Sequence, residues 1–254
     1  METIQVDRHD GIVTITLDRP QKKNAINGVM WDELLATFQE IAAGDDRVVV
    51  LTGAGGEFCS GADLTGGGRQ VHQLTAMRHV GDVALALQRL PQPTIAKVRG
   101  VAVGAGLNMA LGCDLVVACT SARFSEIFAR RGLTIDFGGS WVLPRRVGLH
   151  TAKELVFFAD IIDSTRAEQI GLVNRVVADD QLDAFVDDWA SRLAAGPPIA
   201  LAMSKRLLNN SMHVTMEEAL DDEGMAQTIN FASADTMEAM AAFVAKRPPV
   251  FTGR

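Results

Sequence analysis

Every apolar run short and unbroken enough to be a buried strand ends by about Ile127, and from about Gly139 onward the apolar residues recur at helical spacing. A chain that places its strands first and its helices last reads as an α/β core followed by a helical C-terminal region. The core opens with TIQVDRHDGIVTITL, alternating residues split by Asp10-Gly11, which predicts a β-hairpin. In NGVMWDELLATFQEIAAG, Met30, Leu34, Leu35, Phe38 and Ile41 fall on one helical stripe, with Asn27 as N-cap and Gly44 past the end. RVVVLTG reads as a buried strand, Gln70 to Leu90 as a helix stopped by Pro91 and Pro93, and TIAKVRG as another strand. GAGLNMALG predicts a short helix, DLVVACT a strand and ARFSEI a strand running into a helix. No strand is expected beyond that point. Helices are expected near Thr151–Phe158, Thr165–Gln169, Asp179–Ala194, Ile199–Asn210, Met216–Ala232 and Asp235–Ala245.

With 254 residues, 48% of them hydrophobic, the chain can bury one large core, or a core plus an appendage. The division read here is 1–195 for the core and 196–254 for the helical region, with linker-like stretches only at Thr65–Arg69 and Gly196–Pro198. A net charge of −7 supplies no basic field, which argues against nucleic-acid binding and leaves any phosphate-bearing ligand to local cations. The N-terminal stretch has no positive segment leading an apolar one, and no uncharged apolar run reaches about 18 residues, so the expectation is a cytoplasmic protein without a membrane partner. Cys59, Cys113 and Cys119 are odd in number and lack ligand spacing, so neither a disulfide framework nor a metal site is expected.

Chemistry is visible in two glycine-rich elements that each follow a strand. In GAGGEFCSGADL, small residues around Gly61 and Ala62 let a ligand approach the main chain. In GVAVGAGLNMALGCD, Gly104-Ala105-Gly106 opens a helix, where unpaired N–H groups and the helix dipole favour negative charge. Two such turns can aim a pair of N–H donors at one oxygen, the arrangement of an oxyanion hole. Taken singly, each element is better read as glycines that permit tight turns and helix packing. A dinucleotide site is not expected, because both runs lack the last glycine of the Rossmann fingerprint, with Phe58 at that position in the first.

At these residues the chain resembles the crotonase superfamily, the enoyl-CoA hydratases and isomerases. The resemblance runs almost end to end, through Arg19-Pro20 and Asn24-Ala25, FCSGADL, GVAVGAGLNMALGCDLVVA, ARFSEIFARRGLTIDFGGSWVLPR, AEQIGLVNRVV and the terminal FVAKRPPVF. It implies a spiral of ββα turns with a C-terminal helical trimerisation region, a homotrimer or a hexamer of paired trimers, and an acyl-CoA thioester as substrate with no separate cofactor. It implies that the oxyanion donors are the backbone amides of Ala62 and Ala105, beside Gly61 and Gly104. It also implies that Phe243 and Lys246 reach the coenzyme A of a neighbouring subunit; a solvated helix end is the alternative for both.

The chain departs from the hydratase pattern at the two positions where that family carries glutamates. Asn108 and Phe128 stand there, and neither is a general base. Asp136 remains, flanked by Ile135 and Phe137, in a setting that would raise its proton affinity. The resemblance at this position is to dienoyl-CoA isomerases and the 1,2-epoxyphenylacetyl-CoA isomerase, whose aspartate shuttles a proton. Alternatively Asp136 caps the helix beginning near Gly138 or Gly139. Glu126, two residues before Phe128, is a further candidate carboxylate, expected to point elsewhere on its segment. Asn108 is read as a partner for a polar substrate group or for local backbone, and Trp141 and Phe137 as packing residues. Three readings follow: an acyl-CoA double-bond isomerase using Asp136, a hydratase using Glu126 or Asp136, and a catalytically weak acyl-CoA-binding protein. Ser60 and Ser140 lack a convincing histidine and acid pairing for a serine hydrolase. The acyl pocket wall is expected along Thr65–Leu87, where Gly66-Gly67-Gly68 predicts mobility.

Overall fold

In the computed structural model, which describes residues 1–65 and 72–254, Asp10 and Gly11 take φ of +49° and +77° and turn β1 (Ile4–His9) back onto β2 (Ile12–Leu17). The register, Ile4 opposite Leu17 through His9 opposite Ile12, puts Val13, Ile15 and Leu17 on one fully buried face. Asn27 accepts a hydrogen bond from Met30 N at 2.9 Å and so starts α1 (Gly28–Ala43). The stripe Met30, Leu34, Phe38 and Ile41 is buried as its spacing requires. Each such side chain removed from water contributes about 1.5–3 kcal/mol.

The chain then returns as β3 (Val48–Gly53), parallel to β2 and buried except at its last residue. α2 (Gln73–Gln88) leads to β4 (Thr94–Val98), β5 (Val101–Val103), α3 (Ala105–Gly112), β6 (Leu115–Cys119) and β7 (Arg123–Ser125). A 3₁₀ turn over Ile127–Arg131 precedes α4 (Gly139–Val147) and α5 (Leu149–Phe158). β8 (Ile162–Asp163), α6 (Ser164–Gln169), β9 (Arg175–Val177) and α7 (Leu182–Ala194) complete the core, and α8 (Pro198–Asn210), α9 (Met216–Phe231) and α10 (Ala234–Ala245) end the chain. Among the described residues the strands form a sheet of order β1-β2-β3-β4-β6-β9 and a smaller one of order β5-β7-β8. The hairpin is antiparallel and the rest of the larger sheet is parallel. α7 lies across β2, β3, β4 and β6.

Two expectations are corrected. Strands do not stop by Ile127: β8 pairs with β7, and β9 adds to the large sheet with Val177 opposite Cys119. At two and three residues both are too short to display an alternating period. β5 was also not expected, because VAV lies inside a run read as a glycine-rich turn; it pairs with β7 and builds the second sheet. The expected helix start at Gln70 and the Gly66-Gly67-Gly68 run lie outside the described residues.

The C-terminal helices contrast with the core. α8 and α9 bury none of their residues, and Leu208, Met225, Ile229 and Phe231 are all exposed. The tail is nonetheless tied down: Arg47 donates to Gly196 O and Phe251 O, and Asp235, 4% exposed, accepts from Thr252 N and Gly253 N. Among the described residues no helix is long and apolar enough to cross a membrane.

Candidate active site

The two glycine-rich turns lie against each other because the segment after β3 runs alongside β5. Cys59 N donates to Val101 O at 2.9 Å and Val103 N to Cys59 O at 3.0 Å, a parallel bridge with Cys59 opposite Ala102. Gly61 follows with φ of +94°, and a Cβ there would stand 2.9 Å from Val103 O and 3.7 Å from Ala105 N. Only glycine meets both the backbone angle and the close approach. Ile26 holds the turn from the other side, donating to Gly61 O and accepting from Asp63 N, each at 2.8 Å. Asp63 is fixed in turn by hydrogen bonds from Thr65 Oγ1 and N and by Arg19 at 3.0 Å, which hold its carboxyl well below the usual range.

These bonds consume the neighbouring donors but not those of the two alanines. Neither the Ala62 N–H nor the Ala105 N–H donates to an acceptor among the described residues. Ala105 is the first residue of α3, whose cap Gly104 has φ of +55° and is held by Gly104 N to Ser125 O at 2.9 Å. Its N–H therefore carries the positive end of the helix. Two adjacent unpaired N–H groups can both donate to one oxygen that acquires negative charge.

One turn along α3, Asn108 is fully buried and joins the other candidates. Its Nδ2 donates to Asp136 O at 3.0 Å and, at the longer distance of 3.5 Å, to Glu126 Oε2. Gly139 makes room for it, since any Cβ there would collide with the Asn108 amide. Glu126, 1% exposed, thus faces the same cluster as Asp136; the expectation that it points elsewhere is corrected. It sits where β7 gives way to the 3₁₀ turn, so neither a strand nor a helix period predicts its direction. Capping by Asp136 is likewise overturned: the cap of α4 is Gly138, with no side-chain bond, and Asp136 contributes only its backbone oxygen, to Gly139 N.

Three buried atoms in this cluster, Asn108 Oδ1, Glu126 Oε1 and Asp136 Oδ1, have no hydrogen-bond partner. Burial pushes Asp136 up to about 6. Burial also pushes Glu126 up, to about 8, with the Asn108 bond opposing and the charge of Asp136 adding to the shift. A carboxyl titrating near neutrality can take and return a proton.

Phe137, in the left-handed region at φ of +48°, stacks on Trp31 with ring centroids 5.4 Å apart. Trp31 and Ala62 both line a cleft of about 850 Å³, together with Ile26 and Val80. Its wall also carries His79, whose Nε2 is 2.8 Å from Asp32 Oδ1, a pair that no sequence pattern marked. Phe128, 6% exposed, approaches the Gly104 turn; a Cβ on that glycine would lie 3.6 Å from its ring. Trp141 packs against His213 and under Arg145. Ser60 Oγ donates to Lys22 O. Phe243 stands apart on α10, 84% exposed, and Lys246 closes that helix at φ of +51°. Asn24, fully buried, was part of a motif with no role assigned; it accepts from Arg19 N and donates to Ala54 O and Glu57 O, so it braces the first turn. Among the described residues no group of three or more His, Cys, Asp or Glu side chains is arranged to hold a metal.

A family model described as enoyl-CoA hydratase/isomerase matches residues 7–254. The chain is 40% identical to a probable enoyl-CoA hydratase of Rhodobacter capsulatus, over 99% of this chain and 98% of that one. It is 36% identical to the 1,2-epoxyphenylacetyl-CoA isomerase of Escherichia coli, over the full length of both. The crystal structure of an enoyl-CoA hydratase from Bacillus anthracis superposes with a TM-score of 0.94 at 31% identity, covering all of both chains. That of the Mycobacterium smegmatis enoyl-CoA hydratase gives 0.92 at 35%, covering 99% of each. With the sheet order, the paired turns and this likeness in hand, the chain belongs to the enoyl-CoA hydratase/isomerase family and has the crotonase fold.

Proposed function

We propose that the protein shifts a double bond in an acyl-CoA thioester, with Asp136 as the proton carrier. The observation that carries this reading is the Asp136 carboxyl: it is free of capping and raised to about 6, on a residue whose backbone oxygen is tied through Asn108 to the helix that begins at Ala105. Given a 3-enoyl thioester, the Asp136 carboxylate takes the C2 proton. The electron pair of that C–H bond delocalises over C2, C4 and the thioester oxygen, where the Ala62 and Ala105 N–H groups receive the negative charge. Return of the proton at C4 yields the 2-enoyl thioester without change of mass. One such donor is typically worth about 3 kcal/mol in the transition state. The reaction requires no cofactor beyond the coenzyme A of the substrate.

The 1,2-epoxyphenylacetyl-CoA isomerase among the relatives supports this assignment. A second reading, addition of water to a 2-enoyl-CoA, is supported by the relatives named as hydratases and by the presence of a second carboxyl, Glu126, beside Asp136. We favour isomerisation because Glu126 is 1% exposed and tends to hold its proton, which suits it poorly to activate water. Residues 196–254 are read as an assembly region, with the exposed apolar side chains of α8 and α9 covered by other subunits in a trimer or a hexamer, and with Phe243 and Lys246 meeting a neighbour's coenzyme A.

Incubation with a 3-enoyl-CoA, a 3,5-dienoyl-CoA and crotonyl-CoA, followed by mass and ultraviolet absorbance, tests the assignment. Isomerised product of unchanged mass is expected from the first two. Addition of one water to crotonyl-CoA as the dominant activity would favour the hydratase reading, and no turnover of any of them would leave acyl-CoA binding alone.

A further inference from the structure

Glu126 is an acid with almost no solvent and, among the described residues, no cation paired with it. From α3 it meets the neutral Asn108, and from the segment before α4 it meets Asp136. On its own turn Arg130 is engaged with Asp160 at the surface and Arg131 is exposed. The titratable side chains of α5, which packs on that turn, are His150, Lys153 and Glu154, and all are exposed. An ionised Glu126 would be a buried charge supported, among the described residues, by one side-chain hydrogen bond at 3.5 Å, a costly state. The donor inventory points the same way. Both Asn108 N–H groups have acceptors to serve, in Asp136 O and Glu126 Oε2, which leaves Asn108 Oδ1 and Asp136 Oδ1 as acceptors in search of a donor.

We propose that Glu126 is a positioning residue, held as a neutral carboxylic acid whose O–H donates to one bridging water, which in turn donates to the acceptors Asn108 Oδ1 and Asp136 Oδ1. The neutral acid leaves Asp136 as the single negative charge of the cluster and fixes the orientation of its carboxylate. The inference rests on the reading of Asp136 as the proton carrier, but the state of Glu126 is measurable without any substrate.

Infrared spectroscopy of the whole protein at pH 7 tests it. A carbonyl stretch of a protonated carboxylic acid is expected, moved by ¹³C-glutamate labelling, lost in Glu126→Gln and retained in Asp136→Asn. The labelling arm needs no substitution, so it decides even if a variant fails to fold. Absence of a label-sensitive band overturns the proposal. The second readout is the pH profile of kcat/KM for isomerisation. With Glu126 titrating at about 8, the wild type should lose about tenfold in kcat/KM between pH 7 and pH 9 as the donor is removed. Glu126→Gln, whatever its rate at pH 7, should lack that alkaline limb. An alkaline limb that persists unchanged in Glu126→Gln overturns the proposal, whereas full activity in Asp136→Asn would instead sink the Asp136 reading and leave the infrared result standing.

Discussion

Asn108 donates its side-chain N–H to the backbone oxygen of Asp136 at 3.0 Å, so the helix that presents the Ala105 amide is tied to the segment that presents the carboxyl. The position where the hydratase pattern carries a glutamate is thereby given to a neutral brace. Asn108→Ala removes a buried donor from Asp136 O and should lower the unfolding free energy by about 1–3 kcal/mol. Urea denaturation measures this, and kcat/KM should fall with it because Asp136 loses its anchor. A loss of stability with unchanged kcat/KM would separate Asn108 from the chemistry.

Gly61 is one of the points where the two turns approach closely. Gly61→Ala introduces a Cβ 2.9 Å from Val103 O in a left-handed backbone, at a cost of about 1–3 kcal/mol. Thermal unfolding should show the loss, and the more telling result is a fall in kcat, since on the proposed mechanism the displaced Ala62 N–H serves the enolate rather than the bound substrate.

Glu126 binds its proton more tightly in the folded chain than in the unfolded one, where 4.5 is the ordinary value. The folded state therefore holds the extra proton between those two limits, and the wild type is progressively destabilised as pH rises from about 4.5 to about 8, with no further change above. Glu126→Gln has no such proton to lose. Its stability relative to wild type should improve steadily over that window, as followed by denaturant midpoints at each pH; a difference that stays flat would mean that Glu126 titrates normally.

Asp63 behaves with the opposite sign. Hydrogen bonds from Thr65, and then Arg19, depress its proton affinity, so it contributes stability that is present above its ordinary value of 3.8 and is lost only as pH falls through the lower folded value. Asp63→Asn should reduce stability at pH 7 and abolish that acid dependence. Activity should fall as well, because Asp63 adjoins Ala62.

The hairpin, α1 and β3 were legible in the sequence because their signals are local: Asp10-Gly11 sets a turn, Asn27 caps a helix, and VVVLT is an uninterrupted buried run. β5, β8 and β9 were not, because strands of two or three residues owe their existence to partners distant in the chain. The site divides in the same way. The glycine runs around Ala62 and Ala105 are readable as turns, but their contact depends on the bridge between Cys59 and Ala102, which no spacing records. The direction of Glu126 is not legible in the sequence because it sits at a junction between two kinds of backbone, and the pairing of His79 with Asp32 joins α2 to α1 across a gap of more than forty residues.

The central claim is that Asp136 moves the proton. Its most direct test compares kcat/KM for conversion of a 3-enoyl-CoA to the 2-enoyl isomer in wild type and Asp136→Asn, with binding of the substrate checked separately. The account predicts a loss of about 10²–10⁴-fold with substrate binding little changed. Isomerisation within about threefold of wild type in Asp136→Asn, a difference of less than 1 kcal/mol in the barrier, would contradict it.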